Sequence, residues 1–167
     1  RGAIGFSDGT ALHAALFQRH GVQGWHGPVV HSLAAQGLTP PVERWDGSGR
    51  GSASGPVVGG NLCVLASLCG TPDQLRARGC LLALEDIGEP AYKVDRMLNQ
   101  LRLSGSLEGV VGVLLGDFGE LPELLDIVRE HLNVPYALGL PFGHGAQNLP
   151  WRYGQPAELR EGRLTWR

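Results

Sequence analysis

The 167-residue chain contains no apolar run of the roughly 18 residues that a membrane span requires, and its first residues do not show the basic-then-apolar pattern of a secretory leader. A membrane partner is therefore not expected. A basic surface is also missing: 14 Lys and Arg stand against 16 Asp and Glu, and the arginines are scattered, so nucleic acid is not an expected partner either. Cysteine is scarce and odd in number. Cys63, Cys69 and Cys80 lie among Leu, Val and Ala, which reads as buried free thiols in a reducing compartment and not as a disulfide framework. His13, His20, His26, His31 and His131 show no metal-binding spacing such as H-E-x-x-H, so no metal centre is expected and these side chains read as structural or exposed.

What is present is ordinary globular material, with 43% hydrophobic and 18% charged residues, enough for one domain or two small lobes. The pattern predicts an α/β fold. Apolar strands over Cys80 to Leu84, Val110 to Leu115 and Val134 to Leu138 alternate with helices over Pro90 to Leu103 and Leu121 to Leu132, an order that favours parallel pairing. Glu158 to Trp166 alternates apolar and polar residues across Glu161-Gly162, a hairpin pattern. The Gly- and Ser-rich stretch 47–55 reads as a flexible linker between residues 1–46 and 56–167.

Gly5-Phe6-Ser7-Asp8-Gly9 follows a short apolar run and precedes the helix-forming stretch Thr10 to Phe17, which stops at Gly21. A G-x-S-x-G segment in that setting is the pattern of a nucleophile elbow, a sharp turn that lifts a serine hydroxyl off the end of a strand. The same serine would also serve as a plain helix N-cap. Downstream come Leu84-Glu85-Asp86 and Phe142-Gly143-His144-Gly145, so serine, acid and histidine follow in hydrolase order. Spacing alone leaves Glu85, Asp86 and Glu89 in competition for the acid role. Trp45 reads either as a platform for substrate or as an anchor on the core. Lys93 and Arg96 read as solvated helix residues.

Gly5-Phe6-Ser7-Asp8, Trp25-His26-Gly27-Pro28, Gly59-Gly60-Asn61-Leu62, the segment from Leu84-Glu85-Asp86 to Asp95-Arg96-Met97-Leu98, Leu115-Gly116-Asp117-Phe118 and Gly139-Leu140-Pro141-Phe142-Gly143-His144 occur in that order. Together they resemble the LD-carboxypeptidase (muramoyltetrapeptide carboxypeptidase) family, which includes the microcin C immunity peptidases. The resemblance runs nearly end to end. It implies a serine peptidase of the cytoplasm that uses no cofactor and no metal and removes the terminal D-alanine of murein tetrapeptides in cell-wall recycling. Carried over residue by residue, it places the nucleophile on Ser7, the acid on Glu85 and the base on His144, with the Asp8 amide as one oxyanion donor. The implied fold is the end of a flavodoxin-like N-terminal domain, residues 1–46, followed by a swivelling β/β/α C-terminal domain.

The family carries a substantial domain ahead of the elbow, whereas six residues precede Ser7 here. This implies an incomplete pocket, an elbow strand without neighbours, and poor packing from Arg1 to about Val30 unless a separate N-terminal domain supplies partners. Expected partners are a murein peptide, that N-terminal domain, and a second copy in a homodimer. Two other readings stand beside this one: a catalytically incompetent piece of such an enzyme, and an immunity-type peptidase that cleaves a peptide-nucleotide antibiotic.

Overall fold

The computed structural model describes residues 3–29 and 43–167; Arg1, Val30 and His31 lie outside them. Strand β1 (Ala3–Gly5) leads through a turn into helix α1 (Gly9–His20), which ends where Gly21 takes a left-handed φ of 62°. Strand β2 (Gly24–His26) then runs parallel to β1. The other edge of β2 is taken by β9 (Trp151–Tyr153), an antiparallel partner from near the end of the chain. The elbow strand thus has a neighbour and a neighbour's neighbour within this chain, which corrects the expectation of an unsupported strand. On α1, Thr10, His13 and Ala14 are buried, while Ile4 of β1 and Leu12 of α1 remain 71% and 51% exposed.

The larger sheet follows the order β3-β11-β10-β5-β6-β7-β8-β4. Its centre is parallel: β5 (Ser52–Asn61), β6 (Leu81–Glu85), β7 (Gly112–Leu115) and β8 (Tyr136–Leu138) pair in turn through the connections that hold α2 (Leu62–Ser67), α3 (Ala91–Leu103) and α4 (Leu124–His131). Every residue of β6 and β7 is buried, as expected when both faces of a parallel sheet are covered. Val94, Leu98 and Leu101 recur at helical spacing to form the buried stripe of α3. The flank is antiparallel, built from β10 (Pro156–Arg160), β11 (Arg163–Trp166) and β3 (Arg44–Asp46), and the β10–β11 hairpin turns at Glu161 and Gly162, both with positive φ.

Residues 47–55 are not a linker. They form β4 (Ser48–Arg50) and the first half of β5, which pairs with β10. Strands β3 and β4 are joined by Gly47 alone yet occupy opposite ends of the sheet order, so the sheet must curl back until its edges meet. Gly49 marks the closure: a Cβ there would lie 2.1 Å from the Tyr136 carbonyl oxygen and 2.7 Å from Gly162 Cα. The glycines of this stretch answer to close packing and not to flexibility. The expected burial of all three cysteines also fails at Cys63, which is exposed on the first turn of α2, while Cys80 is buried.

The elbow helix is tied to the larger sheet by one buried hydrogen bond, from the Asn61 amide at the end of β5 to Thr10 Oγ1, 3.0 Å. Thr10→Val keeps the volume and removes the acceptor, leaving a buried N–H unpaired. It should cost about 1–3 kcal/mol. Thr10→Ser, which keeps the oxygen, should cost less, and urea unfolding midpoints of the two variants compare them directly.

Candidate active site

Ser7 sits in the turn between β1 and α1 with φ of 55°, a left-handed value that a non-glycine residue adopts at a cost of roughly 1–3 kcal/mol. Gly9, Thr10 and Ala11 turn their amides back to the carbonyls of Phe6, Ser7 and Asp8, so the serine stands at the very start of a helix. Gly5 permits this sharpness, because a Cβ there would lie 3.2 Å from His13 Nε2 and 3.3 Å from Gly9 Cα. The Asp8 amide follows the serine at the same helix N-terminus, where unpaired N–H groups favour negative charge.

Glu85 is the last residue of β6, at the carboxyl end of a parallel strand, and its side chain is fully buried. His144, about a quarter exposed, comes from the loop after β8 and donates from Nδ1 to Glu85 Oε2 at 2.7 Å. Burial pushes the Glu85 carboxyl up, and the hydrogen bond from His144 pulls against it. The competing acids are engaged elsewhere. Asp86 accepts from Asn61 Nδ2 at 3.1 Å, from its neighbour Ile87's amide at 2.9 Å and from the Cys63 amide at 2.9 Å. Glu89 pairs with Lys93 at 3.1 Å.

Phe6, the residue before the serine, packs on the His144 ring, with centroids 4.6 Å apart. Behind Phe6 lies an aromatic series that runs through His26 (5.5 Å), Trp151 (4.7 Å from His26), Phe142 (6.0 Å from Trp151) and Trp45 (5.5 Å from Phe142). Trp45 is therefore a core residue, 2% exposed and edge-on to Trp166, which corrects its reading as a substrate platform. Among the described residues no group of three or more His, Cys, Asp or Glu is arranged to hold a metal ion.

The family model for the LD-carboxypeptidase C-terminal domain matches residues 54–159. The chain belongs to the LD-carboxypeptidase family. It is 36% identical to the murein tetrapeptide carboxypeptidase of Pseudomonas aeruginosa over 99% of this chain and 65% of that protein. It superposes on the crystal structure of muramoyltetrapeptide carboxypeptidase from Oxalobacter formigenes with a TM-score of 0.81 at 31% identity, covering 96% of this chain and 66% of that one. The microcin C7 self-immunity protein shares the fold at 20% identity with a TM-score of 0.79, covering 100% of this chain and 67% of that one. The chain spans 58% to 65% of the length of the first three curated relatives it matches.

Sequence reasoning singled out Glu85 and His144, which the structure places 2.7 Å apart, but missed what surrounds them. Its one available signal for the histidines was the block Trp25-His26-Gly27-Pro28. His26 is fully buried, and neither ring nitrogen has a hydrogen-bond partner among the described residues. His13, 2% exposed, lies next to it, donates to the Gly5 carbonyl at 3.4 Å and stacks on Tyr153. Burial holds the His26 imidazole down to about 3, with the nearby His13 and His144 acting in the same direction. Burial also lowers His13.

Between the ordinary histidine value of about 6.5 and the folded value, the unfolded chain binds a proton at position 26 that the folded chain refuses. Stability is therefore unaffected by this group above that window and falls as pH drops through it. From pH 7 to pH 5.5 the His26 contribution to the loss should be about 1 kcal/mol. His26→Phe should flatten the stability profile by that amount, as read from urea unfolding at the two pH values.

Proposed function

We propose that this chain is the triad-bearing part of a serine-type LD-carboxypeptidase that acts in the cytoplasm on murein tetrapeptide and releases its terminal D-alanine during cell-wall recycling. The observation that carries the reading is the 2.7 Å hydrogen bond from His144 to a fully buried Glu85, across Phe6 from a serine held on a strained elbow.

In the proposed reaction the carboxylate of Glu85 holds His144 in the tautomer that carries its proton on Nδ1 and leaves Nε2 to accept one. Ser7 Oγ attacks the carbonyl carbon of the L,D-peptide bond as its proton passes to His144 Nε2. The Asp8 amide, at the helix N-terminus, receives the oxyanion of the tetrahedral intermediate. His144 then protonates the leaving amine, the C–N bond breaks, and D-alanine departs. Water, deprotonated by the same imidazole, hydrolyses the acyl-serine and restores the enzyme.

The reading brings three partners: the murein peptide, the N-terminal domain of the same enzyme, and a second copy of the chain in a homodimer. A peptide-nucleotide substrate would call for an aromatic face to hold the base, and Trp45, enclosed in the core, does not offer one.

In the full-length enzyme, Ser7→Ala should lower D-alanine release from murein tetrapeptide by at least about a thousandfold while leaving the unfolding midpoint nearly unchanged. A variant within tenfold of the parent would remove Ser7 from the mechanism. The 167-residue chain alone should show no measurable release, because a second oxyanion donor, worth roughly 3 kcal/mol of transition-state stabilisation, is expected from the N-terminal domain. Assays of the chain alone and mixed with that domain, expressed separately, should differ sharply, with activity appearing on mixing.

A further inference from the structure

Asp117 belongs to the block Leu115-Gly116-Asp117-Phe118, for which the proposed reaction has no use, yet it touches both the acid and the base segments. Its amide donates to the Phe142 carbonyl at 2.8 Å, and its own carbonyl accepts from the Asp86 amide at 3.1 Å. The loop leaving β7 is thereby bonded on one side to the residue after Glu85 and on the other to the residue two before His144. The side chain goes further. Oδ1 accepts from the Gly119 amide at 3.1 Å, which fixes the carboxylate in orientation.

Against this fixed side chain lie the two glycines that flank His144. A Cβ on Gly145 would fall 2.7 Å from Asp117 Oδ2 and 2.9 Å from Asp117 Cγ. A Cβ on Gly143 would fall 2.9 Å from Asp117 Cβ and 3.2 Å from Glu85 Cβ. Gly143 also has φ of 123°, whereas Gly145 does not have a positive φ, so at Gly145 close contact is all that an added methyl brings. The loop and Asp117 together border a cavity of about 440 Å³, also lined by Gly145, Ala146 and Gln147.

We propose that Asp117 is a positioning residue for His144: its side chain is the wall on which Gly143 and Gly145 rest, and this wall keeps the imidazole on Glu85. The role is steric. The inference rests on the reading of Ser7, Glu85 and His144 as a triad, and it extends that reading to a residue that need not touch substrate.

The test uses four variants of the full-length enzyme, Asp117→Asn, Asp117→Ala, Gly145→Ala and the double variant Asp117→Ala/Gly145→Ala. Three quantities are measured: kcat and KM for D-alanine release, and the downfield proton resonance of the His144 Nδ1–H···Glu85 hydrogen bond. Asp117→Asn keeps the shape and should stay within about threefold of the parent in kcat. Asp117→Ala should lower kcat about tenfold with KM within about twofold, and should broaden the Nδ1 resonance, because a shift of the base by a fraction of an ångström is costly to rate. Gly145→Ala should be worse, about thirtyfold or more, since the methyl drives the loop off the wall. In the double variant the methyl fills the space the carboxylate vacated, so kcat should recover at least to the level of Asp117→Ala, a non-additivity that independent sites would not show.

Parental kcat in Asp117→Ala, a rise in KM alone, a loss in Asp117→Asn as large as in Asp117→Ala, or a double variant as poor as the product of the singles would each overturn the proposal. Urea midpoints for each variant separate unfolding from misplacement. If the parent itself releases no D-alanine, the functional reading falls, and the Nδ1 resonance still decides whether Asp117 holds His144.

Discussion

The arrangement turns on Asn61, a single buried side chain that joins three pieces of the fold. Its amide reaches Thr10 on the elbow helix, its side-chain oxygen accepts from the Val64 amide and caps α2, and its side-chain nitrogen donates to Asp86. Each of these groups would be costly to bury unpaired. The third bond has a chemical result. By occupying Asp86, together with the amides of Cys63 and Ile87, the network leaves the neighbouring carboxylate, Glu85, as the one that faces His144. Two adjacent acids at the end of one strand acquire different duties because their side chains leave the strand in opposite directions.

The second constraint is the aromatic series from Trp45 to Phe6. Ring packing of this kind is directional and rigid compared with aliphatic contact. It connects the core of the closed sheet to the face of the His144 imidazole through rings among which only His26 is titratable. Burial keeps that imidazole uncharged, so it places no cation near His144. The His144 imidazole is thus bounded by Glu85 on one nitrogen, by Phe6 on its face and by the Asp117 wall under its loop.

Much of this was legible in the order of residues. Strands β6, β7 and β8 and helices α3 and α4 follow apolar runs and helical stripes strong enough that tertiary context only reinforces them, and the β10–β11 hairpin follows from its alternation and the Glu161-Gly162 turn. The Gly- and Ser-rich stretch 47–55 was misread because composition reports flexibility only when nothing packs on the chain. Here the glycines are small so that Tyr136, Gly162 and Gly79 can approach, and that requirement exists only once the sheet has curled. Trp45 stayed open between platform and core anchor for the same reason: its partners, Phe142 and Trp166, are about a hundred residues away in sequence, and no local pattern announces them. The choice of Glu85 over Asp86 came from family resemblance, and its physical cause lies in Asn61, whose three bonds no spacing rule contains.

The pairing of β2 with β9 has a bearing on how the molecule is made. Residues 24 to 26 cannot find their antiparallel partner until residues 151 to 153 exist, so the sheet that supports the serine is among the last parts to close. At roughly 5–20 residues per second, ribosomal synthesis of the intervening stretch takes on the order of 6–25 s. Through that interval the nascent polypeptide already holds the serine, and later the acid, but its elbow lacks one flank and its histidine loop has not yet emerged. The contact between Phe6 and the His144 ring is thereby among the later ones to form.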